Sequence, residues 1–290
     1  MSWQAIVILQ IFVSSLMTLW TRHISLSSKK VFYTVGLVTY FTIASVGILI
    51  SIIGNRGLPS VAFNNSFIFI VIAGIAIPIA WLFQYKLISY IGASNTTVVS
   101  TINTVGAATL GIVLLNEAIS VSFIIGVLLI VAGVYLALNI RADKAHGLEA
   151  SFYKKFLLVL GSFVFFSIGL FFEKQAITGI GVLDYAFYGW TMQFIGVLVI
   201  YLLFGRSEKI HTNPKIIKNS VYLGLFTSAA GGLFIIALSM GTLSHTIIAT
   251  SGKIAITMLM SAIFLNERND MRLRICAFVS AMLGIALILF

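Results

Sequence analysis

The chain has 290 residues, 60% of them hydrophobic and only 9% charged, with a mean hydropathy of +1.09. So much apolar content exceeds what a soluble core absorbs and marks a polytopic membrane protein. Eighteen Lys and Arg against eight Asp and Glu leave a net charge of +10, while a lone cysteine, Cys276, excludes an intrachain disulfide framework and a cysteine-held structural metal.

A bilayer core of roughly 30 Å needs about 20 apolar residues per helix. That ruler predicts ten spans, near 3–22, 31–53, 66–90, 93–115, 119–140, 153–173, 182–204, 220–241, 244–265 and 272–290. The apolar runs are continuous and long, which favours helices over barrel strands. The first run starts at Trp3 without a basic n-region or a small-residue cleavage site, so it reads as a retained span rather than a signal peptide, and no soluble domain is expected.

In span 1, Gln10, Ser14, Met17 and Thr21 recur at helical spacing and form one stripe, expected to line a cavity. Span 3 offers Trp81, Gln84 and Tyr85, with Lys86 next to them, and span 7 offers Tyr188, Trp190 and Gln193. These groups suit an organic solute, because solute sites are mostly apolar with a few placed polar groups. The aromatic residues also fit an interfacial belt, the simpler reading for Trp3, Tyr33, Tyr90 and Tyr222. Asn103 in span 4 is either a solute ligand or an interhelical hydrogen-bond partner. Glu173, on the span 6 stripe with Ser162, Phe166 and Gly169, is either a proton site near the cavity mouth or an interfacial acid beside Lys174. Gly126 and Gly133 in span 5, and Ala277, Ala281 and Gly284 in span 10, read as close-packing positions and as a possible homodimer contact.

Span 9 carries Lys253 about ten residues past its predicted start, hence about 15 Å deep at 1.5 Å per residue. A charge at the bilayer centre costs about 2.5–3.5 kcal/mol on the insertion scale, so such a lysine is a functional candidate. Lys253 either locks the bundle by internal pairing or meets substrate. His245, eight residues earlier on the same face, is either a proton site or a polar helix cap.

The two halves align at an offset of 150: Leu115-Asn116-Glu117 falls on Leu265-Asn266-Glu267, and Asn103 falls on Lys253. With one extra residue Gly133 falls on Gly284, and with two Thr21 and Arg22 fall on Glu173 and Lys174. Five spans per copy is an odd number, which inverts the second copy in the membrane. The expected fold is therefore an all-α integral membrane protein with ten transmembrane helices in two inverted five-helix repeats, 1–145 and 146–290.

Ten short-looped spans, with a small-polar-rich fourth span in each repeat closing on an apolar run and Glu, resemble the drug/metabolite transporter superfamily, EamA type. Asn116-Glu117 and Asn266-Glu267 stand where that family usually has Gly-Glu, and Thr104 and Ile254 where it often has proline. A lysine in the ninth span is similar to what its sugar-phosphate and nucleotide-sugar branches use for anionic groups, although Ile254 rather than Arg follows here. The resemblance implies both termini in the cytoplasm. The loops imply the reverse: fifteen Lys and Arg follow the odd-numbered spans, only Arg56 and Lys174 lie on the opposite side, and the positive-inside rule then puts both termini outside. The positive charge is thus topology, and no nucleic-acid partner is expected.

The residues predict a secondary-active transporter in the cell membrane that moves a small organic metabolite, anionic or zwitterionic, by alternating access. No GxxxxGK[ST] loop serves nucleotide hydrolysis. Four scattered His, no HExxH and no paired intramembrane carboxylates argue against an enzyme, a metal site or a cofactor. A lipid flippase or a non-transporting structural membrane protein is the competing reading.

Overall fold

The computed structural model describes residues 2–27, 32–55, 57, 59, 65–115, 120–140, 150–205, 208, 210–242, 246, 249–266 and 270–289. Among them lie ten α-helices: α1 Trp3–Ser27, α2 Phe32–Asn55, α3 Asn65–Val99, α4 Thr101–Leu115, α5 Val121–Asn139, α6 Phe152–Ile180, α7 Val182–Ile200, α8 Pro214–Met240, α9 Lys253–Phe264 and α10 Met271–Leu289. A π-helical turn, Tyr201–Gly205, extends α7. Local chemistry sets several ends. Ser120 and Ser151 accept from the amides of Phe123 and Lys154 at the starts of α5 and α6, and Asn213 accepts from Lys215 with Pro214 opening α8.

Eight of these helices are long and apolar enough to span a bilayer; α4 and α9, at 15 and 12 residues, fall short of the expected spans 4 and 9. The difference has a local cause in each case. A straight 35-residue α3 would reach about 52 Å, far beyond a bilayer core. Instead it breaks at Gly92, whose φ of 86° is open to glycine and strained for other residues. Before the break α3 runs antiparallel to α6, with Ile77 against Gly169 and Phe83 against Gly161. After it α4 runs parallel to α6, with Asn103 against Ser162 and Gly106 against Ser167. The chain therefore reverses direction at Gly92, the predicted boundary between spans 3 and 4. In span 9, i→i−3 bonds from the amides of Gly252, Ile254 and Ala255 interrupt the helix, so Lys253 opens α9 rather than lying ten residues inside it.

Helix pairs recur in related sets: α3 packs on α6 as α8 does on α1, α7 on α3 as α2 on α8, and α4 on α6 as α9 on α1. Helices α2 and α7 cross each other, as do α5 and α10. Individual contacts obey the same offset. Gly36 faces Val197 while Gly47 faces Ala186, and Gly74 faces Met192 while Gly224 faces Thr42. At the α5–α10 crossing, Gly126 meets Gly284 and Gly133 meets Ala277 and Ala281. The small residues read as a possible dimer contact are thus used inside the chain, at a backbone approach that a larger side chain would block.

Main-chain carbonyls freed at the helix breaks are capped by basic side chains. Arg22 Nη1 donates to the carbonyls of Ile88 (2.8 Å) and Ser89 (3.2 Å), just before Gly92. Lys174 Nζ donates to those of Leu238 (2.5 Å) and Gly241 (3.0 Å), where α8 ends. Lys174 is therefore engaged with α8, not with neighbouring Glu173.

Candidate functional site

Where α3, α4, α8 and α9 present their mid-lengths and breaks to one another, a cavity of about 200 Å³ opens. From the first half of the chain it is lined by Gln10, Ser14 and Met17 of α1, Tyr40 and Ile43 of α2, and Ile77, Trp81 and Gln84 of α3. Ser100, Thr101 and Asn103 complete that side. The second half supplies Phe166, Leu170 and Glu173 of α6, Trp190 and Gln193 of α7, and Thr227, Ala230, Gly231, Phe234 and Ile235 of α8. Thr250, Ser251, Lys253 and Ile254 close the ring. Among the described residues, Lys253 and Glu173 are the charged groups of this lining, one of each sign, and both come from the second half.

Asn103 and Lys253 occupy equivalent places. Ser167 Oγ donates to the Asn103 carbonyl (3.5 Å) and Ser15 Oγ to the Lys253 carbonyl (3.4 Å), each serine also bonding a carbonyl four residues back in its own helix. Both positions immediately follow a helix interruption. Discontinuous helices at a central cavity are where inverted-repeat carriers hold their solutes. Lys253 Nζ has no hydrogen-bond or ion-pair partner among the described residues. Asn103 Nδ2 reaches Ser162 Oγ (3.4 Å), which also accepts from Gln84 Nε2 (3.2 Å). The oxygens Asn103 Oδ1 and Gln10 Oε1 are buried without a partner, although both residues face the cavity. An unpaired buried acceptor costs about 1–3 kcal/mol, so both oxygens are primed for a donor.

Glu173 is 5% exposed and sits against the hydroxyl of Tyr185, which also neighbours Gln193 and Tyr40. Tyr40 meets Trp81 edge to face, with ring centroids 5.6 Å apart, and the Trp190 indole lies near Gly231. The lining thus combines aromatic walls with two opposite charges and several amides and hydroxyls. Such a lining can hold a small organic molecule through stacking and a few directed hydrogen bonds.

Of the side chains singled out in the sequence, the cavity gathers Lys253, Asn103, Trp81, Gln84, Trp190, Gln193, Glu173, Gln10, Ser14 and Met17. Three stand apart. Tyr85 is buried against Trp81 and Phe32 (ring centroids 5.2 and 5.5 Å). Thr21 bonds the Met17 carbonyl of its own helix (2.8 Å). Tyr188 donates to the carbonyl of Pro59 (2.9 Å) and so ties α7 to the segment after α2. His245, Asn116, Glu117 and Glu267 lie outside the described residues. Sequence reasoning missed Tyr40, Thr101, Thr227 and Ser251; the repeat offset held a signal for Tyr40, which falls on Trp190.

The EamA-like transporter family model matches residues 1–139 and again 154–290. One solved crystal structure is similar over 99% of this chain and 96% of its own, with a TM-score of 0.69 and 14% identity, a likeness in fold alone. Among curated proteins none matches.

Proposed function

Since the chain belongs to the EamA-like transporter family, and so is a multi-pass membrane transporter and not an enzyme, we propose that it is a secondary-active carrier working by alternating access. Its spans number ten, in two inverted five-helix repeats, 1–145 and 146–290. The family model's two matches, the reversal at Gly92 and the contacts paired at the repeat offsets support this reading. It lies in the cell membrane with both termini outside, as the loop charges favour.

The substrate is a small organic anion or zwitterion. One observation carries this: a cavity between the two halves whose charged groups, among the described residues, are a single lysine without a partner there and a single carboxylate. Lys253 binds the solute's anionic group, and Asn103 and Gln10 accept from its donors. Trp81, Tyr40 and Trp190 pack on its apolar part. Glu173 either meets a cationic group or carries the coupling proton. An ion gradient or substrate exchange supplies the energy.

The test is uptake into proteoliposomes over a panel of anionic, zwitterionic and cationic metabolites, with and without a pH gradient. Wild type is expected to move an anion or zwitterion, and Lys253→Ala to lose most of that flux. Preference for a cation, or equal flux in the variant, would sink the substrate reading.

A further inference from the structure

The cavity is lopsided in one consistent direction. Helix α1 starts beside the end of α8, where Trp3 Nε1 donates to the Ala237 carbonyl (3.1 Å), and α6 ends there too, through Lys174. Toward that terminal face the lining includes Gln10, Glu173 and Ile235. Their counterparts at the repeat offsets are Ser162, Thr21 and Tyr85, which the cavity does not reach toward the opposite, basic face. There the space is closed by the hydrogen bonds that Gln84 and Asn103 make to Ser162, backed by buried Leu87, Val99 and Val159 around a narrow second void.

The symmetry mate of the pair Asn103–Ser162 is Lys253–Gln10. The first pair is bonded, whereas the second leaves Lys253 Nζ and Gln10 Oε1 both without a partner among the described residues. Two repeats that exchange conformations exchange their contacts. We infer that Ser162 and Gln10 are reciprocal gate partners: Ser162 closes the basic face on Asn103 in the present state, and Gln10 closes the terminal face on Lys253 in the other. In that other state the cavity is lined toward the basic face by Thr21, Tyr85 and Ser162. The proposal rests on alternating access by inverted repeats and adds the residues that make each seal. Ser162 acts through Asn103 and is a positioning residue, while Gln10 serves the solute in the present state and the seal on Lys253 in the other.

The experiment reads accessibility from each side. In the Cys276→Ser background, Thr21→Cys reports the basic face and Ile235→Cys the terminal face, each labelled in oriented vesicles by a membrane-impermeant thiol reagent. Adding Ser162→Ala is expected to speed labelling of Thr21→Cys about thirtyfold, as loss of the two hydrogen bonds from Gln84 and Asn103 implies, and to slow Ile235→Cys. Adding Gln10→Leu is expected to do the reverse. Ser162→Thr, which keeps the hydroxyl, should restore the parent rates, a recovery that a merely structural role does not predict. If the protein transports and Ser162→Ala moves both rates together or neither, the gate assignment fails. A wild type that moves no solute fails the carrier reading itself, before the labelling is done.

Discussion

Among basic side chains in the helices, Arg22, Lys155 and Lys174 each donate to main-chain carbonyls, while Lys253 ends in the cavity. Their stability effects should divide accordingly. Lys174→Met strips donors from two carbonyls and is expected to cost about 1–3 kcal/mol, lowering the melting temperature in detergent. Lys253→Met removes a charge that has no partner among the described residues, so its melting temperature should stay or rise while transport falls. A Lys253→Met protein that unfolds earlier would make the lysine a structural lock. Glu208, beyond α7, accepts from the Tyr33 amide (3.0 Å) at the start of α2. Burial holds its carboxyl above the usual carboxylate range, against the opposing pull of the Tyr33 and Thr34 amides, His211 and Lys86. A carboxyl that titrates higher in the folded state holds more protons there, so its contribution to stability falls as pH rises from about 4.5 and levels off above the folded value. Glu208→Gln should flatten the part of a melting-temperature profile just above pH 4.5, and an unchanged slope would contradict this account. Lys253 itself was legible in the sequence, because a lone lysine in an apolar run has few innocent explanations. The roles of Tyr85 and Thr21 were not, because helical spacing gives a face and cannot tell which end of that face a cavity reaches.

At the scale of elements, breaks matter as much as helices. Gly92→Ala forces a Cβ into the left-handed region and is expected to destabilise by about 1–2 kcal/mol. A Cβ on Gly126 would stand 2.6 Å from the Gly284 carbonyl oxygen, and one on Gly284 2.5 Å from that of Gly126. Either alanine should cost about 1–3 kcal/mol by overpacking, whereas Gly57→Ala, with nothing within 4 Å among the described residues, should be neutral in the same melts. Equal melting temperatures for all three would refute the packing argument. Hydropathy located the long helices but cut short the ends of α1 and α6 and the start of α8 by five to seven residues, and it read 93–115 and 244–265 as continuous. Those interruptions arise from hydrogen bonds to serine and glycine that leave apolar content unchanged.

For the whole molecule, the offset of 150 read from a handful of identities reappears as paired contacts at the α2–α7 crossing, and with the one extra residue at the α5–α10 crossing. Symmetry survives in packing because close approach constrains residue size, and it fades in sequence because many apolar residues fill the same space. Orientation is the prediction at this scale. In the Cys276→Ser background, an impermeant thiol reagent applied to intact cells should label Ser2→Cys. Labelling only after lysis would put the termini in the cytoplasm and overturn the charge argument.

The charged residues of the cavity carry an electrical consequence. With Lys253 and Glu173 both ionised, the described lining has no net charge, so in the proposed alternating-access cycle the empty carrier reorients without moving charge through the membrane field. A proton on Glu173 leaves one positive charge to cross, worth about 2.3 kcal/mol per 100 mV over the full field. A bound monoanion cancels it. Loading with proton and anion together is then electrically silent, and the resting potential weighs on the half-loaded forms alone.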